Sequence, residues 1–169
     1  MPGGRRLEEK NILEGKRVLI VDDEPDILVT LEGLLEECEI DTASDFQEAK
    51  ALLGTKAFDA AIVDIMGVSG YEILEITTNK DIPTLMLTAH ALSPADLTKS
   101  LKKGALAYIP KDRISEIEVF LQDILEVHEK KEKKPGKWFS RLEHYFEKKF
   151  GTDWKEKTDP EFWKKMHYI

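Results

Sequence analysis

Five side chains of this 169-residue chain are of the types, and stand at the places, that phosphoryl chemistry requires: Asp22, Asp23, Asp64, Thr88 and Lys111. Each closes or directly follows a short apolar run: the acidic pair RVLIVDD, Asp64 FDAAIVD, Thr88 IPTLMLT, and Lys111 the run ending in AYIP. Carboxylates gathered at one point repel, and each raises its neighbours' pKa unless a cation intervenes. A hard, oxygen-seeking ion answers that repulsion. Mg²⁺ takes near-octahedral oxygen ligands and keeps several waters, so one or two carboxylates, a backbone carbonyl and a phosphate oxygen complete its shell. Histidine and cysteine are absent from the set, which argues against zinc. With Mg²⁺ and Lys111 neutralising a transferred phosphoryl group, one carboxylate can act as nucleophile and form an acyl phosphate, while Thr88 donates a hydrogen bond to a phosphoryl oxygen. The competing interpretation is structural, since any single strand-end acid can simply cap the helix that follows it.

For these residues to meet, the apolar runs must lie side by side as strands. Short apolar runs alternate with helical periodicity, which predicts strand–helix units around a parallel sheet. Five units follow one another. The strand 17 to 23 leads into a helix with Pro25 at its first position and Ile27, Leu28, Leu31, Leu34 and Leu35 at helical spacing. A short strand 39 to 42 precedes Ser44 and Gln47, read as a capping box ahead of Ala49, Leu52 and Leu53. The strand 58 to 64 is followed by a glycine-bearing turn and a helix from about Tyr71, and the strand 82 to 88 by a helix that Ser93 and Pro94 start and Gly104 ends. A fifth strand spans 105 to 109, and Ile114, Ile117, Phe120, Leu121, Ile124 and Leu125 give a last helix one apolar stripe. In such open α/β sheets ligands sit outside the carboxyl ends of the strands, the end at which all five polar residues fall.

Charge divides the chain further. Residues 1 to 128 carry 13 Lys/Arg against 25 Asp/Glu, whereas residues 129 to 169 carry 12 against 8, so an acidic domain precedes a basic tail. Nine of the fourteen aromatics, with all three tryptophans, fall in the last 32 residues, so the tail needs a surface to bury them against. The division expected is an N-terminal extension 1–15, a domain 16–129, a basic linker 130–137 and an aromatic-rich helical tail 138–169. Trp138, Phe139, Leu142, Tyr145, Phe146 and Phe150 recur at helical spacing before Gly151; Asp159 and Pro160 then open a second short helix carrying Phe162, Trp163 and Met166. The tail is expected to dock on its own domain, on a second copy as a dimerisation element, or on a protein partner, with a membrane surface as a further option and nucleic acid disfavoured by the acidic domain. No apolar run reaches the roughly 20 residues that span a bilayer, and no secretory signal is visible at the start, so the expected location is the cytoplasm. Cys38, the only cysteine, reads as a lone buried or half-buried thiol.

The segments VLIVDDEPDIL, AAIVDIMG, LMLTAHA and AYIPKD, in this order, resemble the receiver domains of two-component response regulators over about residues 16 to 128. The resemblance implies a flavodoxin-like (βα)₅ doubly wound parallel sheet of strand order 2-1-3-4-5. It implies Asp64 as phosphoacceptor, Asp23 as direct Mg²⁺ ligand with Asp22 assisting through water, the backbone carbonyl of Met66 as a further ligand, Lys111 as partner of the phosphoryl group, and Thr88 with Tyr108 as a coupled switch. It implies a signalling switch in a phosphorelay that accepts its phosphoryl group from a sensor histidine kinase or phosphotransfer protein. On that reading the chain is no enzyme beyond self-catalysed transfer and autodephosphorylation, has no DNA-binding output domain, and acts on an unidentified downstream protein. Two local features stand out. Val68 occupies the position where receivers carry proline, and Gly70 comes two residues early, so the loop after Asp64 is shortened; His90, two residues after Thr88, reads first as a solvent-facing loop residue, with overhang of the phosphoryl group as the alternative. The alternative from the enzyme class is an aspartate-nucleophile, Mg²⁺-dependent phosphohydrolase. Its Asp-x-Asp-x-Thr signature is not matched, because Glu24 stands at the second acidic position.

Overall fold

The computed structural model describes residues 11–89, 92–131 and 136–165. Five strands, β1 (Arg17–Val21), β2 (Glu39–Ala43), β3 (Ala60–Asp64), β4 (Thr84–Thr88) and β5 (Ala107–Pro110), form one parallel sheet in the order β2-β1-β3-β4-β5. β3 and β4 are buried along their whole length, as sequences with no polar face, AAIVD and TLMLT, require of strands covered by helices on both sides. Register aligns the strand ends: Val21 pairs with Ala43 and Val63, Asp64 with Leu87, and Thr88 with Pro110. The polar residues that follow these positions therefore share one edge of the sheet.

The connecting helices are α1 (Pro25–Leu34), α2 (Phe46–Thr55), α3 (Gly70–Asn79), α4 (Pro94–Lys102) and α5 (Ile117–Lys130). Pro25 and Pro94 both sit in the first helical turn, where a missing N–H costs nothing. Ser93 caps α4, its hydroxyl accepting from the Asp96 amide at 3.0 Å. The expected Ser44 cap is displaced by one residue. Asp45 is the N-cap, accepting from the Glu48 amide at 2.8 Å, and Glu48 reaches back to the Ser44 amide at 2.7 Å, so the reciprocal box is built by Asp45 and Glu48 and not by Ser44 and Gln47. The last helix also differs from expectation: Lys111–Glu116 forms a 3₁₀ turn, closed by an Arg113–Glu116 ion pair, and the α-helix begins only at Ile117. Strands β3, β4 and β5 each begin two residues later than the apolar runs suggest, because Phe58, Ile82 and Ala105 are buried without joining the ladder.

The tail folds as α6 (Lys137–Phe150), α7 (Trp154–Thr158) and α8 (Pro160–Lys165), α6 packing on α5 and α7 on α4. Its Phe146 ring also meets Tyr108 of β5, the centroids 6.3 Å apart. Trp138, Phe146, Trp154 and Trp163 are at most 2% exposed, in one cluster with the core of the sheet. Trp154 meets Trp163 edge-on at 4.9 Å, and Phe139 stacks on Trp163 at 5.6 Å. The Lys155 ammonium lies 4.9 Å from the Phe139 ring centre and 3.1 Å from Glu143, pinning α7 to α6. Arg141 grips the buried Asp123 of α5 through two hydrogen bonds of 2.8 and 3.2 Å, and Lys102 of α4 pairs with Asp159. The apolar stripe read from α6 thus faces the domain, not solvent or lipid. The short α7 was not foreseen, since WKEKT carries a single apolar residue and no period. Met166 lies outside the described residues, as do residues 132–135 of the 130–137 linker.

Candidate functional site

Asp22 and Asp23 leave β1 where the chain turns into α1. Asp22 is fully buried and accepts from the Glu24 amide at 2.9 Å, a bond that fixes the turn, while Asp23 projects into solvent. Asp64, 5% exposed, ends β3. One oxygen from each of Asp22, Asp23 and Asp64 lies within 4.8 Å of the others, a grouping suited to one cation. Lys111 enters from the end of β5, its ammonium 2.8 Å from Asp22, 3.4 Å from Asp64 and 2.7 Å from Glu24. Sequence reasoning did not assign Glu24 a partner; its place inside the acidic run 22 to 26 was the available signal.

The loop from Ile65 to Ser69 closes over this pocket. Gly67 has φ +85°, and a Cβ there would stand 2.5 Å from an Asp23 oxygen, so the Met66–Gly67 backbone runs against the Asp23 carboxylate and only glycine fits. Gly70 is as constrained: a Cβ would come within 2.3 Å of the Asp64 carbonyl oxygen, and its amide donates to Ile65 at 3.1 Å. The loop is therefore tight, with Ser69 in the left-handed region at φ 58°. Val68 is buried beneath it, whereas the Met66 side chain is 54% exposed above the pocket.

Electrostatics follow from this crowding. Burial, then the charge of Asp22, push the Asp64 carboxyl up to about 6 against the pull of Lys111. Asp22 is raised too, by burial first, with Lys111 and the Glu24 amide opposing. Burial works against the Lys111 ammonium, but hydrogen bonds to Asp22 and Glu24 outweigh it and raise its pKa. One ammonium thus faces four carboxylates, and the donor set is all oxygen. A hard divalent cation fits the deficit.

Thr88 is buried at the end of β4, its side chain hydrogen-bonded to the Tyr108 phenol oxygen. Tyr108 is fully buried, accepts from the Ser93 amide at 3.2 Å, and is pushed up to about 12, chiefly by burial. What buries it is α6, whose Phe146 ring centre stands 6.3 Å from that of Tyr108. His90 lies outside the described residues.

A doubly wound sheet with an acidic pocket outside its carboxyl edge defines a flavodoxin-like α/β protein of the class whose best-known members include receivers. The comparisons narrow the class. The family model of the response regulator receiver domain matches residues 18–121, and the chain belongs to that family. Over 119 residues it is 35% identical to the two-component response regulator ARR10 of Arabidopsis thaliana, the match covering 66% of this chain and 21% of that protein. The chain thus spans about a fifth of the length of the curated relatives it matches. Among solved structures, a CheY-like receiver domain protein from Methanospirillum hungatei superposes with a TM-score of 0.63 at 30% identity, over 70% of this chain and 99% of the other. A response regulator from Burkholderia pseudomallei, with a phosphorylated aspartic acid, calcium ion and citrate, gives 0.59 at 26% identity, over 68% and 69%. The chain is a receiver domain of two-component signalling carrying a C-terminal helical tail. Receivers in general hold Mg²⁺ at an acidic pocket and take phosphate from histidine kinases or phosphotransfer proteins.

Proposed function

We propose that Asp64 accepts a phosphoryl group from a phosphohistidine of a sensor histidine kinase or phosphotransfer protein, and that the chain acts as a switch read by a downstream protein. The observation that carries the reading is the convergence of Asp22, Asp23 and Asp64 within 4.8 Å, with Lys111 3.4 Å from Asp64. An Asp64 oxygen attacks phosphorus in line, the P–N bond breaks, and the released imidazole takes a proton. Asp22, Asp23, Asp64 and the Met66 backbone carbonyl would hold Mg²⁺, whose charge offsets that developing on the phosphoryl oxygens. Lys111 swings from its Asp22 and Glu24 partners to pair with the phosphoryl group, and Thr88 turns its hydroxyl from Tyr108 to a phosphoryl oxygen. That the similar regulator from Burkholderia pseudomallei has a phosphorylated aspartic acid and a calcium ion supports this reading.

A small phosphodonor with Mg²⁺ should add one hydroxylamine-labile phosphoryl group per chain, and Asp64→Asn should abolish it. Uptake by Asp64→Asn at the wild-type rate would reject the assignment. Asp23→Ala should keep the fold yet lose Mg²⁺ binding, read by the loss of Mg²⁺-dependent thermal stabilisation.

A further inference from the structure

The tail holds a cation among its aromatic rings. The Lys155 ammonium of α7 lies 4.9 Å from the ring centre of Phe139, 5.9 Å from that of Trp154 and 6.0 Å from that of Trp163, within the reach at which a ring face attracts positive charge. The rings come from α6, α7 and α8 and pack on one another: Trp154 stands edge-on to Trp163, and Phe139 stacks on Trp163 with its centre 6.5 Å from that of Trp154. Together they wall a box, each ring residue at most 5% exposed. Glu143, one helical turn after Phe139 on α6, brings its carboxylate to 3.1 Å from the ammonium; its side chain is 44% exposed, so the box has a wet, acidic rim. Lys99 over Tyr71 and Lys149 over Tyr145 are, by contrast, pairs of one cation with one ring.

Taking an ammonium out of water is costly, and a methionine or leucine at position 155 would fill the same space without that cost. Ring faces offset it best for cations that water holds weakly, and a quaternary ammonium, with no N–H to hydrate, is of that class. We propose that Phe139, Trp154, Trp163 and Glu143 form a binding site for a quaternary ammonium headgroup of the choline type, which Lys155 occupies in the free chain and leaves when the ligand enters. One cation replaces another, so the Glu143 carboxylate keeps an opposite charge beside it. The lysine side chain is already 15% exposed and leaves by rotating about its own bonds, with Trp154 kept as a wall. Because Lys155 is tethered to the same chain, it competes at high effective concentration. The wild type is therefore a weak binder, and removing the lysine uncovers the site.

The test uses the full chain, choline and tetramethylammonium as probes at matched ionic strength, and tryptophan fluorescence, since Trp154 and Trp163 wall the box. Lys155→Ala should bind both probes saturably and roughly tenfold more tightly than wild type. Dimethylbutanol, in which carbon replaces the nitrogen of choline, should bind Lys155→Ala roughly tenfold more weakly than choline does. Equal affinity for the two would reveal an apolar hole with no preference for charge and overturn the proposal, as would the absence of any saturable change while the amides of α6 stay protected from exchange. Adding Phe139→Leu to Lys155→Ala keeps apolar bulk and removes one ring face; it should weaken choline and leave dimethylbutanol unaffected, and undiminished choline binding there overturns the cage. Should Lys155→Ala fail to fold, the wild type decides: acetylation of Lys155 by an N-hydroxysuccinimide ester, followed by mass spectrometry, should quicken with choline and not with dimethylbutanol, and an unchanged rate overturns displacement of the lysine. Phosphatidylcholine vesicles separate the sources of the headgroup: capture by them upholds the site with a lipid as ligand, and binding of free choline alone upholds it with a soluble one.

Discussion

Asp64 sits where two demands conflict. A nucleophile must be ionised, yet burial and the Asp22 charge lift its carboxyl from the ordinary 3.8 to about 6. Protons therefore compete with metal for the pocket, and Mg²⁺ affinity should rise with pH to a plateau above about 6, losing roughly a factor of ten between pH 7 and pH 5. Calorimetric titration at several pH values measures this; a flat profile would contradict the conflict. The stability sign is the reverse. The folded chain binds this proton more tightly than the unfolded chain, so metal-free stability from this group is full below about 4 and is lost as pH rises through about 6. Asp64→Asn, which carries no charge, should hence be more stable than wild type at pH 7 without Mg²⁺, by about 1 to 3 kcal/mol. Urea melts should show that gain vanish near pH 4.

At the scale of elements, the junction of α5 and α6 depends on one charge pair. Asp123 is 4% exposed, and Arg141 supplies both hydrogen bonds described for its carboxylate. A surface ion pair would contribute little, but leaving a buried carboxylate without its partner is costly. Arg141→Ala should lower stability by about 2 to 4 kcal/mol, whereas Asp123→Asn with Arg141→Ala together should recover part of the loss, because no buried charge remains. Denaturant unfolding of the two single variants and the double variant measures the coupling. The α2 cap shows how finely such elements are set: Ser44 and Asp45 are both good caps, and the register of β2, which keeps Ala43 paired with Val21, leaves Asp45 at the first turn.

For the whole molecule, the acidic domain and basic tail read from composition are joined by a predominantly aromatic contact, with ion pairs around it. Each large apolar side chain buried there contributes about 1.5 to 3 kcal/mol, enough to offset the ordering entropy of three short helices. Amides of α6 should be protected from hydrogen exchange in the free protein, and added salt to 0.5 M should reduce that protection only slightly, since burial, not the exposed charges, holds the tail. Uniform rapid exchange from Trp138 to Phe150 would remove the docked arrangement.

By itself the sequence determined the five strands, their helices and the residues at the strand ends, because parallel strands buried on both faces must be continuous apolar runs, and a run stops where a polar residue has to reach solvent or a ligand. Asp22, Asp23, Asp64, Thr88 and Lys111 were legible for that reason; the order of the strands came from family resemblance. Only the tertiary structure decided where the tail goes. An amphipathic helix specifies that it needs an apolar surface and not which one, so the docking of Phe146 on Tyr108, of Tyr145 on Asp112 and of Arg141 on Asp123 depends on residues up to 38 positions apart in sequence whose meeting no local pattern encodes. Glu24 as a partner of Lys111 and the tight loop at Gly67 and Gly70 belong to the same class, set by how closely separate strand ends approach once the sheet is assembled.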